Sequence, residues 1–240
     1  MLSIIIPTFN EEKFLPFLLE SIKREISGID IDYEIIVADA GSKDRTREIA
    51  AQNNVKIIQG GLPAQGKNNG AKAAQGSLLL FLDADTILPD NFFKKAIDEF
   101  NARELKIAGF PLLPDKGRIT ALFFNIFYNF PVIFMERFLA HASAGILIDK
   151  GLFDKINGFD EDIKLAEDHD LARRAKKMAK YGFIKSSVIY ISKRRFKRDG
   201  WFKTYTKYVL CELYMVLIGP VKSDIFRYRF GHYYQKIKKY

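Results

Sequence analysis

The sequence LLLFLDAD occupies Leu78–Asp85, and in it five apolar residues lead directly into two acidic residues around one alanine. An uninterrupted apolar run of this length is typical of a strand that helices cover on both faces. Similar runs lie at Leu2–Ile6, Tyr33–Ala38 and Val55–Ile58, and stretches with helical apolar spacing separate them. This alternation predicts an α/β fold of the doubly wound type, with a mostly parallel sheet flanked by helices.

The size and composition of the chain favour one domain with an appended tail. Its 240 residues are 48% hydrophobic and 28% charged, which is enough apolar material for a sizeable core. This composition excludes an intrinsically disordered chain, a collagen-like repeat and a disulfide scaffold. Because no linker rich in Pro, Gly or Ser divides the chain, we expect one domain over residues 1–190. Residues 191–240 are expected to form a basic loop and an amphipathic helical tail, packed on the domain or on a membrane surface.

The net charge of +9 is unevenly distributed. Residues 186–240 contain 13 Lys and Arg against 3 Asp and Glu, whereas residues 1–185 contain 25 against 26. The basic loop Lys193–Arg198 is suited to a diphosphate or an anionic lipid surface, and the alternative is a solvated charged surface. Since no nucleic-acid-binding motif accompanies the loop, we expect no nucleic acid partner.

The second half of the sequence is less regular. It predicts the strands Ala108–Leu112, Ile146–Asp149 and Val188–Ile191 and the helices from Glu167 to Lys180 and from Trp201 to about Ile218. Two apolar stretches, residues 119–138 and 205–219, are interrupted by polar or charged residues. Neither has the ~18 uninterrupted apolar residues of a membrane span, so burial in the core and a position in a bilayer interface both stay open.

The cysteine content indicates the compartment. Cys211 is the only cysteine, so an internal disulfide is excluded. The sequence also opens directly into the apolar run Leu2–Ile6, without a basic segment or a small-residue cleavage site. We therefore expect a cytoplasmic protein.

Asp83 and Asp85 stand where the chain leaves an apolar run. In an extended segment, residues two apart point to the same side, which places both carboxylates together. Such hard oxygen ligands bind Mg²⁺ or Mn²⁺ together with substrate phosphates and water. The alternative is a surface turn, in which Asp is also favoured. Ligands of doubly wound sheets bind beyond the carboxyl ends of the strands, which favours the metal site.

Asp39 ends another apolar run. Its carboxylate is suited to accept a hydrogen bond from a nucleobase N–H or a ribose hydroxyl. Gly41 and Ser42 let the backbone turn into a helix that begins near Asp44. Capping of this helix by Ser42 or Asp44 is expected as well, and the two roles are compatible.

Glu167–Asp170 carries three carboxylates and one imidazole in the first turn of a predicted helix. The helix dipole alone favours acidic residues there. The functional alternative is a general base that takes a proton from an acceptor hydroxyl. His169 is then a polar neighbour, or a ligand to a diphosphate or a metal. His141, His169 and His232 are scattered and match no zinc spacing.

Six short motifs follow one another in an order that resembles a known family. They are SIIIPTFNE at Ser3–Glu11, DAGSKD at Asp39–Asp44, KNNG at Lys67–Gly70, DAD at Asp83–Asp85, GFDE at Gly158–Glu161 and the pair Glu167-Asp168. Together they resemble the family 2 glycosyltransferases of the GT-A fold, over roughly residues 2–180. The ordered set is far more specific than any single motif.

The resemblance implies a reaction and a role for each motif. A member of this family passes a sugar from a nucleoside diphosphate sugar to an acceptor hydroxyl, with inversion at the anomeric carbon. The donor site implied by the resemblance contains Pro7, Thr8, Glu11, Asp39, Lys67, Asn68 and Asp83. Basic groups stabilise the charge that develops on a leaving diphosphate, and Arg194 and Arg195 are suited to this role. The resemblance also implies Asp83 and Asp85 as ligands of Mg²⁺ or Mn²⁺, and Asp168 of the pair Glu167-Asp168 as the catalytic base.

The sequence departs from the family pattern at three places. Asp39 is followed by Ala40 where many members have a second acid, and Asn157 stands where a glycine is common. The Gln/Arg-x-x-Arg-Trp signature of processive polysaccharide synthases is missing before Trp201. The resemblance therefore implies a non-processive enzyme that adds one sugar.

Two other classes of protein remain as alternatives. A sugar-1-phosphate nucleotidyltransferase usually carries a glycine-rich, basic loop after its first strand, and Pro7–Glu11 is neither glycine-rich nor basic. A catalytically silent, membrane-associated module of the same fold would have lost its acids, whereas Asp83, Asp85 and Asp168 are present.

The tail adds a hypothesis about location. Its apolar residues between positions 205 and 217 are flanked by Lys203, Lys207, Lys222, Arg227 and Arg229. Such a helix lies in the interface of an anionic membrane, or it packs on the domain with its lysines solvated. In the first case we expect the protein on the cytoplasmic face of a membrane, with a lipid-linked acceptor.

Overall fold

Two sheets organise the chain. The computed structural model describes residues 1–194, 196, 200–223 and 225–226. Their strands are β1 (Leu2–Thr8), β2 (Tyr33–Asp39), β3 (Lys56–Gln59), β4 (Leu78–Leu82), β5 (Thr86–Ile87), β6 (Ile107–Gly109), β7 (Leu112–Pro114), β8 (Gly145–Asp149), β9 (Tyr181–Phe183) and β10 (Ile189–Ile191). The central sheet has the order β3-β2-β1-β4-β8-β6-β9, and the smaller sheet has the order β5-β10-β7.

Helices connect most of these strands. They are α1 (Leu15–Ile26), α2 (Thr46–Gln52), α3 (Pro63–Ala73), α4 (Phe92–Ala102), α5 (Arg118–Phe124), α6 (Phe130–Phe134), α7 (Lys150–Lys155), α8 (Glu167–Lys176) and α9 (Trp201–Leu217). A π-helical segment, Asn125–Asn129, joins α5 to α6. Every helix in the described ranges falls short of the length or the hydropathy that crossing a membrane requires.

Helices cover both faces of the central sheet, so alternate residues of one strand enter different cores. In β1, Ile4 and Ile6 pack with α1 and α4, whereas Ile5 packs with α3, α7 and α8. All three side chains are fully buried. This burial on both faces explains why the strands are uninterrupted apolar runs.

One edge of the central sheet collects segments from both halves of the chain. β1 pairs in parallel with β2 and β4, so Thr8, Asp39 and Asp83 lie at the same carboxyl edge. β8 runs antiparallel to β4, with Gly145 opposite the last residue of β4. The start of β8 therefore lies at this edge too, where the amide of Asp83 donates to the carbonyl of Ala144 at 3.0 Å.

The doubly wound, mostly parallel sheet confirms the predicted fold class. The predicted strand Ala108–Leu112 is wrong as a single element, because β6 and β7 belong to different sheets. Pro111 lies between β6 and β7 and has no amide hydrogen with which to continue a ladder. The helix predicted from Glu167 to Lys180 is also too long, since α8 ends at Lys176.

The first apolar stretch that the sequence left open forms a helical arm, residues 118–138, called the aromatic arm below. One face of the arm packs on the domain. Phe124 on this face is buried against Phe196, with 5.5 Å between the ring centroids. The buried Asn129 side chain accepts from the Leu112 amide and donates to the Leu112 carbonyl, both at 2.9 Å. The aromatic arm is therefore fixed to β7.

The described part of the tail contacts the domain through a polar cluster on α9. One carboxylate oxygen of Glu212 lies 2.9 Å from His141 Nδ1 and 2.8 Å from His169 Nδ1. The other oxygen lies 3.0 Å from Arg173 Nη2. Residues 227–240, with the predicted membrane cations Arg227 and Arg229, lie outside the described residues.

Two glycines of α3 give a matched test of how tightly this helix packs on β1. A Cβ atom at Gly70 would lie 2.3 Å from Ile5 Cγ2, whereas one at Gly66 would lie 3.5 Å from its nearest neighbour, Pro7 Cβ. We expect Gly70→Ala to lower the free energy of unfolding by about 1–3 kcal/mol, because the buried, β-branched Ile5 cannot move away easily. Gly66→Ala should raise it by up to about 1 kcal/mol through helix propensity. Urea unfolding measures both changes, and a stabilised Gly70→Ala variant would contradict this packing.

Candidate active site

A cavity of about 1240 Å³ lies at the carboxyl edge of the central sheet. Its lining includes most of the site residues that the sequence singled out: Pro7, Thr8, Glu11, Lys67, Asp83, Asp85, Glu167, Asp168 and Arg194. Asp39 and Asn68 are outside this lining. Arg195 lies outside the described residues, so its predicted diphosphate contact stays a prediction.

Lys67 of α3 lies between two carboxylates at the start of α8. Its Nζ atom is 2.9 Å from Glu167 Oε1 and 2.5 Å from Asp168 Oδ1. The exposed fractions of these three side chains are 4%, 9% and 14%, in the order Lys67, Glu167, Asp168. Buried charges persist in proteins when they are paired, so this group joins α3 to α8 beside the cavity.

The three charges separate the pKa values of the two carboxyl groups. Burial raises the pKa of Asp168 to about 7; Lys67 opposes this effect, and the charges of Glu167 and Asp83 add to it. Burial also disfavours the charge of Glu167, but Lys67, together with a backbone hydrogen bond and His169, outweighs burial and lowers the pKa of Glu167. Neighbouring carboxyl groups with separated pKa values are typical of acid–base sites. Asp168 is the member suited to exchange a proton near neutral pH.

Arg194 joins the first motif of the sequence to the DAD motif. Its Nη1 and Nη2 atoms donate to the two Glu11 carboxylate oxygens at 2.7 and 2.8 Å, and its Nε lies 2.9 Å from Asp85 Oδ2. The guanidinium carbon is 4.8 Å from the centre of the Phe14 ring. Burial raises the pKa of Glu11 to about 7, against the effect of Arg194 and with that of Asp85 and Asp83.

Asp83 and Asp85 fit a divalent ion that is shared with a substrate. Both side chains are partly exposed and line the cavity. Within the described residues, a group of three or more His, Cys, Asp or Glu donors within 4.8 Å occurs only at His141, His169 and Glu212. Two carboxylates, with the other positions left to phosphate oxygens and water, are nevertheless the usual arrangement for Mg²⁺.

Asp39 orders the loop that follows β2. It is buried, and its carboxylate accepts from the Thr8 hydroxyl at 3.1 Å and from the amides of Gly41 and Ser42 at 3.1 and 3.0 Å. Asp44 accepts from the first amide of α2 at 3.0 Å, which is a capping contact of the kind that the sequence predicts. Because the loop uses much of the acceptor capacity of Asp39, its contact with a nucleobase or ribose stays a prediction.

Asn68 fixes the loop that precedes α8. Its amide nitrogen donates to the Phe159 carbonyl at 2.9 Å and to Glu161 Oε1 at 2.8 Å, and its oxygen accepts from the Phe159 amide at 2.9 Å. Its predicted donor contact stays a prediction. In the same loop, Asn157 has a φ of +58°, a left-handed conformation that Asn tolerates better than most residues. This explains how Asn157 replaces a glycine.

The cluster of His141, His169 and Glu212 also lines the cavity, and the sequence did not predict it. Burial and the neighbouring His169 lower the pKa of His141 to about 4, so this imidazole is neutral at pH 7. The Tyr128 hydroxyl lies 2.8 Å from His141 Nε2. Two imidazoles and a carboxylate can bind zinc, but here both Glu212 oxygens already have partners, one in His141 and His169 and the other in Arg173. We assign to this cluster the joining of α9 to α8.

The same cavity has an apolar half, formed by the aromatic arm and α9. Its side chains include Phe123, Phe127, Tyr128, Val132, Met135, Tyr205, Val209 and Leu213. The cavity volume of about 1240 Å³ exceeds the roughly 300–1,000 Å³ of most small-molecule sites. It therefore has room for more than one small molecule.

Solved structures identify the class of the fold. The crystal structure of Staphylococcus aureus TarS 1–349 with UDP-GlcNAc matches this chain with a TM-score of 0.63 at 20% identity. The match covers 90% of this chain and 73% of the TarS chain. The mannosyltransferase PcManGT from Pyrobaculum calidifontis, solved with GDP-Man and Mn²⁺, matches with a TM-score of 0.68 at 16% identity. This match covers 91% of this chain and 70% of the PcManGT chain. At these identities the likeness concerns the fold, which is the GT-A fold implied by the sequence motifs.

A family model narrows the class further. The model described as glycosyl transferase family 2 matches residues 3–140, which is more than half of the chain. The chain belongs to this family. The uncharacterized glycosyltransferase EpsJ of Bacillus subtilis is 30% identical over 188 residues, covering 70% of this chain and 54% of EpsJ. The minor teichoic acid biosynthesis protein GgaA of the same organism is 27% identical over 248 residues, covering 91% of this chain and 54% of GgaA. The chain thus spans about half the length of these curated relatives.

The raised pKa of Glu11 predicts a pH-dependent contribution to stability. Folding raises this pKa from 4.5 to about 7. Glu11 therefore contributes fully to the free energy of unfolding below about pH 4.5, and this contribution is lost as the pH rises through about 7. We therefore expect the urea midpoint of the wild type to fall between about pH 5 and about pH 8, and that of Glu11→Gln to fall less. The control is Glu48→Gln, which removes an exposed partner of Arg45 and should keep the wild-type pH dependence. Equal pH dependence in the wild type and Glu11→Gln would contradict the assigned burial of the charge.

Proposed function

We propose that this chain transfers a sugar from a nucleoside diphosphate sugar to an acceptor hydroxyl, with inversion at the anomeric carbon. The observation that supports the proposal most is one cavity lined by Asp168, whose pKa is raised, and by Asp83 and Asp85. The donors in two structures of the same fold, UDP-GlcNAc and GDP-Man, support the donor class. Family membership favours this reaction over a nucleotidyltransferase reaction.

Asp168 is the general base of the proposed reaction. The acceptor oxygen forms a bond to the anomeric carbon while its proton passes to the Asp168 carboxylate, and the bond from that carbon to the diphosphate oxygen breaks with its electron pair. A single displacement of this kind inverts the anomeric carbon and needs one protein carboxylate. Lys67 orients that carboxylate through its 2.5 Å contact, and Glu167 shares the charge of Lys67.

Cations stabilise the charge that develops on the leaving diphosphate. Arg194 supplies one cation, and its ion pair with Asp85 keeps it at the cavity. Mg²⁺ or Mn²⁺ held by Asp83 and Asp85 would neutralise further charge on the phosphate oxygens. Pro7 and Thr8, at the end of β1, would frame the nucleotide.

The proposal includes a place and a kind of acceptor. We propose a non-processive enzyme that sits peripherally on the cytoplasmic face of an anionic membrane and uses a lipid-linked acceptor. The apolar half of the cavity supports an acceptor with a hydrocarbon part. The missing Gln/Arg-x-x-Arg-Trp signature supports the addition of one sugar, and the single, free Cys211 supports the cytoplasmic face.

A thermal-shift screen of UDP-, GDP- and dTDP-sugars, with and without Mn²⁺, tests the donor and the metal. We expect one nucleotide class to raise the melting temperature more with Mn²⁺ than without it, because a ligand that binds the folded state stabilises it. Asp85→Asn should remove the part of the thermal shift that depends on Mn²⁺. The control Asp90→Asn changes an acid that is 90% exposed and should retain that part. Failure of every nucleotide to bind in the presence of Mn²⁺ would refute the proposed function.

Replacing the base separates binding from transfer. We expect Asp168→Asn to retain the donor-induced thermal shift and to lower kcat by about 10²–10⁴-fold. In the wild type, kcat/KM should rise with pH through about 7, because the carboxylate acts in its ionised form. Asp170→Asn, in the same helical turn, should stay active because an amide oxygen can still accept from Arg174. Transfer retained by Asp168→Asn would move the base to Glu167 or elsewhere.

A further inference from the structure

Exposed apolar side chains are concentrated on two elements of the molecule. Among the described residues, those of the aromatic arm that are at least 43% exposed are Ile119, Leu122, Phe123, Ile126, Phe127, Phe130, Phe134, Met135 and Phe138. α9 and the residues after it add Tyr205, Val209, Leu210, Leu213, Leu217, Ile218 and Ile225, whereas six others are spread over the rest of the described chain. Isolated exposed apolar residues are common, but a contiguous group marks an interaction surface.

The two elements form one continuous face. Tyr205 of α9 donates a hydrogen bond to the Phe127 carbonyl at 3.1 Å, and the centroids of the two rings are 6.4 Å apart. Along the aromatic arm, Phe123 stacks on Phe127 at 5.6 Å and Phe130 stacks on Phe134 at 6.1 Å. The exposed apolar side chains of the aromatic arm and of α9 are called the docking face below.

Buried polar contacts hold the docking face from behind. Glu136, near the end of the aromatic arm, accepts from Arg103 at 2.6 Å and from the Phe183 amide at 3.0 Å. Asn129 ties the middle of the arm to Leu112. The exposed rings are thus carried by a segment that is anchored at two points, and their exposure follows from this anchoring.

Cations border the docking face. Lys116 and Arg118 are exposed at one end of the aromatic arm and Arg137 is exposed at the other end, whereas the exposed Lys222 after α9 is paired with Asp160 at 2.8 Å. An apolar face bordered by cations complements a surface with an apolar interior and anionic headgroups. This charge pattern favours a bilayer that contains anionic lipid as the occupant of the face.

The docking face continues into the cavity. Phe123, Phe127, Val209 and Leu213 are more than 40% exposed and also line the cavity. The apolar half of the cavity therefore opens at the docking face.

A series of contacts connects this apolar half to the proposed base. The Tyr128 hydroxyl lies 2.8 Å from His141 Nε2, and the centroid of the His141 ring lies 3.9 Å from that of His169. His169 follows Asp168 directly in the sequence, and all four residues line the cavity. A hydrocarbon chain bound along the aromatic arm would thus lead to Asp168.

We propose that the docking face binds an anionic bilayer and that the apolar half of the cavity binds the hydrocarbon chain of an amphiphilic acceptor, whose hydroxyl group reaches Asp168. The role of Asp168 in this inference rests on the proposed function, whereas the docking face and the chain site rest on their own geometry. The acceptor enters from the membrane side, and the water-soluble donor enters at the acidic half.

Co-sedimentation of the full chain with vesicles tests the docking face. The probes are phosphatidylcholine vesicles with and without phosphatidylglycerol, at low and high salt. We expect binding to the anionic vesicles that weakens at high salt, because the bordering cations contribute to it. Phe130→Ser/Phe134→Ser should lower the partition coefficient by about tenfold or more, since both rings are mostly exposed and neither lines the cavity.

The matched control is Phe17→Ser/Met178→Ser. These side chains are 57% and 51% exposed and lie outside the docking face, so this variant should bind vesicles like the wild type. No binding at either salt concentration, or equal loss in the two double variants, would overturn the docking face. Dimers in solution that Phe130→Ser/Phe134→Ser abolishes, without vesicle binding by the wild type, would assign the face to a second copy of the chain and overturn it as well.

Calorimetry with methyl, octyl and decyl glucoside, below their critical micelle concentrations, tests the chain site. We expect the affinity to rise by about tenfold or more from methyl to decyl glucoside, because the longer chain buries more apolar surface. Leu213→Asp should remove this rise. Leu217→Asp, on the same helix but outside the cavity lining, should keep it. Affinity that does not depend on chain length would overturn the chain site.

The thermal shift with nucleotide-sugars, measured on the same samples, separates the two proposals. Donor binding without chain-length dependence would refute the chain site and leave the proposed function in place. Chain-length dependence without binding of any nucleotide-sugar would refute the proposed function and leave the chain site in place.

Discussion

The buried ammonium group of Lys67 is the contact on which the site depends. It joins α3, which packs on β1 and β2, to the start of α8, where Glu167 and Asp168 both lie within 3 Å of it. Lys67 is the partner charge of both acids, so removing Lys67 would leave two buried carboxylates without a counter-charge. Lys67 thus holds the start of α8 and opposes the rise that burial causes in the pKa of Asp168. A site arranged in this way links the stability of the domain to the chemistry of the cavity.

The cavity contains two groups in which one cation pairs with two acids. Lys67 holds Glu167 and Asp168, while Arg194 holds Glu11 and Asp85. In each group, burial raises the pKa of one carboxyl, that of Asp168 or Glu11, to about 7. A bound diphosphate adds negative charge and raises these pKa values further, whereas a divalent cation lowers them. Binding of the proposed donor and metal would therefore be coupled to proton uptake in the same cavity.

The sequence predicted the parts of this molecule that local patterns determine. Apolar runs on both faces specify β1, β2 and β4, and because ligands of such sheets bind at the carboxyl ends, Asp83 and Asp85 could be singled out. The group of His141, His169 and Glu212 could not be predicted, since its members are far apart in the sequence and meet only through the packing of α9. The direction of β8 was also open, because an apolar run has the same pattern in either direction. The pairing of Arg194 with Glu11 was hidden for a similar reason, as it depends on where the loop after β10 crosses the cavity.

The antiparallel course of β8 separates the parts of the chain that serve the two halves of the cavity. The acidic half is built largely on the ends of parallel strands. The whole aromatic arm belongs to the connection between β7 and β8, which enters the edge of the central sheet where β8 starts. Connections of this kind tolerate changes of length and composition better than strands do. The aromatic arm thus lies in the connection from the smaller sheet, which contains β7, to the central sheet, which contains β8. Exchange of this connection alone, in evolution or by engineering, would change which molecule meets the proposed donor, while the central sheet and its acids stay as they are.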